Sequence, residues 1–321
     1  MKSLLLSTLV TLVPVAGTFA QSVDLHERYK PGFSYKQEVS IVQESSVSTG
    51  RTKNTTKSET SITLESTVTP ADSGVSVAVR YGRVAMSLDQ DGKTYQFDSA
   101  EPAAPNVLAP LRWLGGVVGR GYTVKLNEKG NVTAVQDIEQ IAGSFGSFNS
   151  TVGVPYRELF GKDAMKTIIE QSMLRPPAGR TPKPGESWPL AREITVPGLG
   201  KLTMTGSYKF VGMSDFEGHQ CAEIAVDASM TNEPPPQAVL DLQDNDQFDT
   251  LSWQMRLKLE ESSVKGTIHF DPAISFPRNT TITQSLSVKA KIPDGTADKI
   301  DMPFKQTITV KLVNASDVHP K

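Results

Sequence analysis

Gly74-Val75-Ser76-Val77-Ala78-Val79-Arg80-Tyr81-Gly82-Arg83-Val84-Ala85-Met86-Ser87-Leu88 is the stretch that decides the fold. Apolar side chains hold every second position from Val75 to Tyr81, then resume one residue out of phase at Val84, Met86 and Leu88. Successive side chains of a strand point to opposite faces, so this alternation predicts a strand with one face buried. A parity slip at a glycine predicts a β-bulge within one long strand.

The same pattern extends outward in both directions. Upstream, Phe33, Tyr35, Val39 and Ile41 mark one strand, Ile62, Leu64 and Val68 a second, and Pro70–Gly74 supplies turn chemistry. Downstream, Asp91-Gly92 folds the chain into a hairpin with Thr94–Phe97, and Lys129-Gly130 joins Tyr122–Leu126 to Val132–Val135. Further strands are expected at Ala191–Val196, Lys201–Val211, Cys221–Met230, Leu251–Glu260, Gly266–Phe270, Ile282–Lys291 and Phe304–Val313. Three mid-chain segments read as helices: Asn106–Val118, Ile138–Phe148 and Tyr156–Leu174. The fold class is mainly β, with about thirteen strands in long curved antiparallel sheets or half-open, barrel-like lobes and about three helices packed on them.

The first twenty residues have the layout of a signal peptide. Lys2 precedes an apolar run from Leu4 to Ala16, and Thr18-Phe19-Ala20 sets small residues before Gln21. The run is shorter than the ~20 residues of a membrane-spanning helix. The expected organisation is a signal peptide over 1–20, an N-terminal β lobe with helices over 21–175, a Pro-rich hinge over 176–189 and a C-terminal antiparallel lobe over 190–321. One continuous domain is the alternative. Lys30-Pro31-Gly32-Phe33-Ser34-Tyr35 and Lys183-Pro184-Gly185-Glu186-Ser187-Trp188 share Lys-Pro-Gly-x-Ser-aromatic, each ahead of a strand-rich block, which suggests an internal duplication. An exported, soluble protein is expected, in the periplasm or outside the cell. It has no lipoprotein cysteine and no transmembrane anchor after cleavage.

Composition excludes several functions. Thirty-three basic against 35 acidic residues leave a net charge of −2, without the basic field of a nucleic-acid binder. A single cysteine, Cys221, rules out an intramolecular disulfide and any multi-cysteine metal centre; it reads as a small core hydrophobe. Five Asn-x-Ser/Thr sequons (Asn54, Asn131, Asn149, Asn279, Asn314) matter only in a glycosylating host. No Gly-x-Ser-x-Gly elbow occurs, and Ser262-Ser263-Val264-Lys265 falls between two expected strands, whereas Ser-x-x-Lys chemistry needs one helical turn. His219 and His269 are the histidines far enough from the termini to be considered for catalysis, and the alternation points His269 to solvent. Asp241, Asp244, Asp246 and Asp249 form a weak calcium candidate that lacks the glycine and closing glutamate of an EF-hand loop. No cofactor is expected.

Several short motifs, weak singly, follow in a telling order: Pro31-Gly32-x-x-Tyr35, Tyr95-x-Phe97-Asp98-Ser99, Gly121-Tyr122-Thr123-Val124-x-Leu126, and Gly130-x-Val132. Pro184-Gly185-x-Ser187-Trp188, Gly218-x-x-Cys221-Ala222-x-Ile224 and Gly266-Thr267-Ile268-x-Phe270-Asp271 complete them. In this order the chain resembles an uncharacterised family of secreted bacterial β-rich proteins, a domain-of-unknown-function class. The resemblance implies a bacterial envelope address and brings no catalytic residue. A more distant similarity, of architecture alone, is to the LolA-type periplasmic carriers, which hold an acyl chain between a concave sheet and a helical lid.

The apolar segment around Trp113 is the candidate binding element. Val107, Leu111, Trp113, Leu114 and Val117 would lid an apolar pocket lined by the long strands, with Gly115-Gly116 letting the segment flex or pack closely, or serve simply as a helix buried under a sheet. The expected function is a non-enzymatic binding protein, for a lipid or other apolar small molecule. The alternative is a structural or interaction module that holds an envelope protein, and a hydrolase with an unrecognised site ranks third.

Overall fold

The structure is a computed structural model and describes residues 23–49, 52–101, 115–142, 162–174, 181–196, 200–233, 256–291 and 300–317. Twelve strands form one antiparallel sheet: β1 (Phe33–Thr49), β2 (Thr52–Ala71), β3 (Gly74–Gln90), β4 (Lys93–Asp98), β5 (Gly121–Asn127), β6 (Val132–Gln136), β7 (Ser187–Val196), β8 (Gly200–Phe216), β9 (His219–Glu233), β10 (Arg256–Asp271), β11 (Phe276–Lys291) and β12 (Ile300–Asp317). Two helices, α1 (Glu139–Ala142) and α2 (Lys162–Ser172), and a helical turn at 115–117 accompany it. The mainly β expectation is met.

Strand order is β6-β5-β3-β2-β1-β12-β11-β10-β9-β8-β7. The last six strands form a meander that returns to pair β12 with β1, so strands from both halves of the chain share one sheet. Long β3 has two short neighbours on one edge: β5 beside Gly74–Arg80 and β4 beside Ala85–Gln90.

Local chemistry explains the turns. Asp91 and Gly92 both have positive φ (52° and 77°), which a two-residue hairpin with right-twisted strands requires, and the Asp89 carboxylate accepts from the Gly92 amide at 3.2 Å. The β8–β9 hairpin repeats the device with Glu217, Gly218 and Asp215. Both Lys-Pro-Gly segments form the same turn. The Phe33 amide donates to Lys30 O and the Glu186 amide to Lys183 O, with Gly32 and Gly185 at φ 82° and 85°. Each turn glycine then donates to the next strand of the sheet, Gly32 to Val68 O on β2 and Gly185 to Phe210 O on β8.

The expected bulge at Gly82 is present, since the β2–β3 register shifts between Ile62 and Leu64, opposite Gly82-Arg83. One expectation needs correction: the two strands expected over Leu251–Glu260 and Gly266–Phe270 are, within the described residues, the single strand β10. Gly266 lies inside the strand, paired with Val226 on β9 and Ile282 on β11 in unbroken register. Its missing side chain admits the neighbouring strand, for a Cβ would lie 2.4 Å from Thr281 O on β11. Gly206 on β8 gives the same close approach to Asp227 O at 2.2 Å.

Six register shifts among the described strands bend the sheet strongly, because a bulge adds a residue on one side of a pair and increases its twist. Two apolar clusters fill the concave side. One gathers Phe33, Tyr35, Val68, Val77, Val124, Ile138 and Phe276; the other Leu25, Trp188, Phe210, Ile224, Val264 and Phe270. An extended strap, residues 23–30, links them: Val23 and Leu25 are buried in the second cluster and Tyr29 packs on the first.

Candidate functional site

Between the two clusters lies a cavity of about 400 Å³ on the concave face. Its wall draws on β5 (Val124) at one side of the sheet and β7 (Leu190) at the other, strands that meet only because the sheet coils. Most lining side chains are apolar: Val39, Val79, Val226, Ile268, Ile282 and Val310 sit on six different strands and share the inward parity. The end of α2 (Ile169, Ser172) with Met173 and Leu174, and the strap with Glu27 and Tyr29, close it from above. The volume falls within the roughly 300–1,000 Å³ typical of small-molecule sites.

Polar groups cluster on the closing elements and toward β7. Glu27 joins strap and helix, with one carboxylate oxygen accepting from the Leu174 amide at 2.8 Å and the other from the Tyr29 hydroxyl at 3.2 Å. Burial pushes the Tyr29 phenol well above its ordinary pKa, and the Glu27 carboxylate adds to the effect. Burial likewise takes Tyr35 up to about 12 against the opposing hydrogen bond from Ser66, and raises Tyr122 further. Tyr208 is raised by burial too, with the Arg192 guanidinium pulling the other way. Arg192 donates to the Tyr208 hydroxyl, and its guanidinium carbon lies 5.9 Å from the Tyr208 ring centroid. Trp188 stacks on Tyr208, with 5.6 Å between the ring centroids, and its buried Nε1 has no hydrogen-bond partner among the described residues.

Of the residues expected to lid the pocket, Val107, Leu111, Trp113 and Leu114 lie outside the described residues. Val117 is 5% exposed and belongs to the first apolar cluster, away from the cavity wall. Asp241, Asp244, Asp246 and Asp249 also lie outside them, and no group of three or more metal-ligating side chains occurs among the described residues. Cys221 is fully buried and unpaired, and burial pushes its thiol up to about 11.

The remaining chemistry-bearing residues separate. Ser262 faces the concave side, donating to Met230 O and accepting from the Met230 amide at 2.7 and 2.5 Å, while Lys265 is an exposed residue of opposite parity on the same strand. His269 is not the solvent-facing residue that alternation suggested: its ring stacks 4.4 Å from that of Phe216 and its Nδ1 is buried without a partner. Phe216, the last residue of β8, covers that outer surface, which no parity argument can show. His219 is exposed at the start of β9.

Arg192 carried no weight in the sequence reading, although a signal was present. Trp188, Leu190, Ile194 and Val196 alternate along β7, and the arginine occupies the one position where that apolar row is broken.

No curated protein matches the sequence. Among solved structures, the chain is similar to one titled lipid-protein interactions in lipovitellin, at 10% identity and a TM-score of 0.48, covering 92% of this chain and 26% of that one. It therefore spans about a quarter of the lipovitellin chain. It is similar also to DynF from Micromonospora chersina (9% identity, TM-score 0.20, covering 91% and 85%) and to OccK7 of Pseudomonas aeruginosa (8%, TM-score 0.24, covering 88% and 99%). No helix among the described residues is long and apolar enough to cross a membrane. A family model described as a family of unknown function (DUF6263) matches residues 72–277, nearly two-thirds of the chain. This chain belongs to that family.

Proposed function

We propose that this is an exported, non-enzymatic protein that binds an apolar small molecule in the cavity of its coiled sheet, a carrier in the manner of LolA-type proteins. The observation that carries the reading is the cavity itself. Apolar walls leave a space of about 400 Å³ unfilled, although protein interiors otherwise pack to crystal density. An unfilled apolar volume forfeits dispersion contacts that a ligand restores. The signal-like N-terminus supports export, and an envelope setting would supply apolar ligands.

Nile red, an uncharged dye that brightens in apolar surroundings, tests this. Wild-type protein is expected to bind it with a blue-shifted, saturable signal. Val39→Trp places an indole into the cavity from the central strand β1, and is expected to weaken binding at least about tenfold with an unchanged far-ultraviolet circular dichroism spectrum. Saturable binding that Val39→Trp leaves intact would place the dye elsewhere and count against the cavity.

A further inference from the structure

We propose that the ligand is an amphiphile with a carboxylate head, and that Arg192 together with the Tyr208 hydroxyl receives that head; this inference rests on the cavity-binding reading. Tracing the registers across the sheet, the row that contains Arg192 runs through Met204, Met230, Ser262, Leu286, Phe304, Ser45 and Thr56. The next row inward is Leu190, Gly206, Ala228, Val264, Gln284, Gln306, Gln43 and Ser58, and neither row holds another charge. Deeper rows, such as Val84-Ile62-Val39-Val310-Thr280-Ile268-Ile224-Phe210, hold none either. Lysines and glutamates of these strands sit at the alternate positions, as with Glu44 and Lys57, which pair with each other on the other face.

A guanidinium on an apolar face is costly unless it is paired, so such residues normally have a carboxylate beside them. Among the described residues no carboxylate pairs with Arg192; its polar partner is the neutral Tyr208 hydroxyl. Both side chains line the cavity. The planar fork of arginine carries five donors, of which Tyr208 uses one, leaving a pair for the two oxygens of a carboxylate. The Tyr208 phenol is held protonated by burial and can supply a further donor. Glu27, the carboxylate of the wall, already spends one oxygen on the Leu174 amide and the other on Tyr29, and so serves as a latch between strap and helix rather than a cationic head's receptor. The cavity thus places its anion receptor at the β7 side and mostly apolar walls, with neutral polar groups such as Tyr122 and Gln37, from there to β5, the layout for one head and one hydrocarbon tail.

Competition against bound Nile red decides it, with palmitate, hexadecanol and hexadecylamine as probes of equal tail and different head. Palmitate is expected to displace the dye from wild-type protein at concentrations about 10- to 100-fold below hexadecanol, the range of a charge-assisted hydrogen-bonded pair. Arg192→Met, its folding checked by an unchanged far-ultraviolet circular dichroism spectrum, is expected to bring palmitate to the level of hexadecanol when both are referred to that variant's own Nile red affinity. Tyr208→Phe, which deletes only the hydroxyl, is expected to lose part of the preference. Equal displacement by palmitate and hexadecanol in wild-type protein, strongest displacement by hexadecylamine, or a palmitate preference that survives Arg192→Met would overturn the proposal while leaving apolar binding intact. Failure of wild-type protein to bind Nile red would overturn the cavity reading and this inference with it.

Discussion

Asp271→Ala is expected to lower the unfolding free energy by about 3–5 kcal/mol, because it strips the partner from a buried guanidinium. Asp271 is 3% exposed at the end of β10, and Arg278 donates from Nε to one of its oxygens at 2.7 Å. The other oxygen accepts from the Ala273 amide at 2.8 Å, which shapes the turn into β11. The substitution therefore leaves a cation only 19% exposed without a counter-charge and an amide without an acceptor. Urea unfolding of the single variant and of Asp271→Ala/Arg278→Met separates these losses, and the double variant is expected to recover part of the stability since no unpaired charge remains. A cost below about 1 kcal/mol for the single variant would show that water reaches the pair.

The second large effect is alkaline. Tyr29, Tyr35 and Tyr122 line the cavity, each with its pKa raised by burial, and Tyr35 is taken up to about 12 against 10.0 for an ordinary phenol. Between those values the unfolded chain loses the Tyr35 proton while the folded chain keeps it, so the native state binds more protons and stability falls as pH rises. The window opens near pH 10 and closes near pH 12 for this group. Its share is roughly 2–3 kcal/mol, and the other two phenols act in the same direction. Urea midpoints measured from pH 8 to pH 11.5 are expected to decline beyond pH 10, and Tyr35→Phe to flatten part of the decline. A flat profile would mean that these phenols are hydrated.

These tyrosines also mark how far the sequence could be read. Alternation at Phe33–Ile41 and Val75–Leu88 revealed half-buried strands, and Gly82 revealed its bulge, because one buried face imposes period two. The outer halves of the long strands were not legible. Thr52–Ser61 is strand throughout, yet mostly polar on both faces, so no apolar row announces it. Gly266 looked like the start of a new strand and lies within β10, where the close approach of Thr281 leaves no room for a side chain. The cavity was beyond any local pattern, since its wall is assembled by registers that join residues as distant as Val39 and Val310. The segment carrying Trp113 drew attention because it is apolar on nearly every side; the described part of the closing layer comes instead from α2 and the strap. Arg192 is the instructive omission: one arginine in a strand is ordinary until the rest of its face is known.

The coiled sheet also leaves β7 as an edge strand with Pro189 in its midst, a residue that discourages pairing with a further strand. That feature speaks against assembly through this edge, and for a function housed inside the sheet.

Native mass spectrometry of the protein isolated from its source, followed by solvent extraction, tests the central claim most directly. The account predicts a reproducible adduct of one small apolar molecule per chain, retained in wild-type protein and absent from Val39→Trp. A bare mass that stays bare after incubation with palmitate, hexadecanol and Nile red would contradict it.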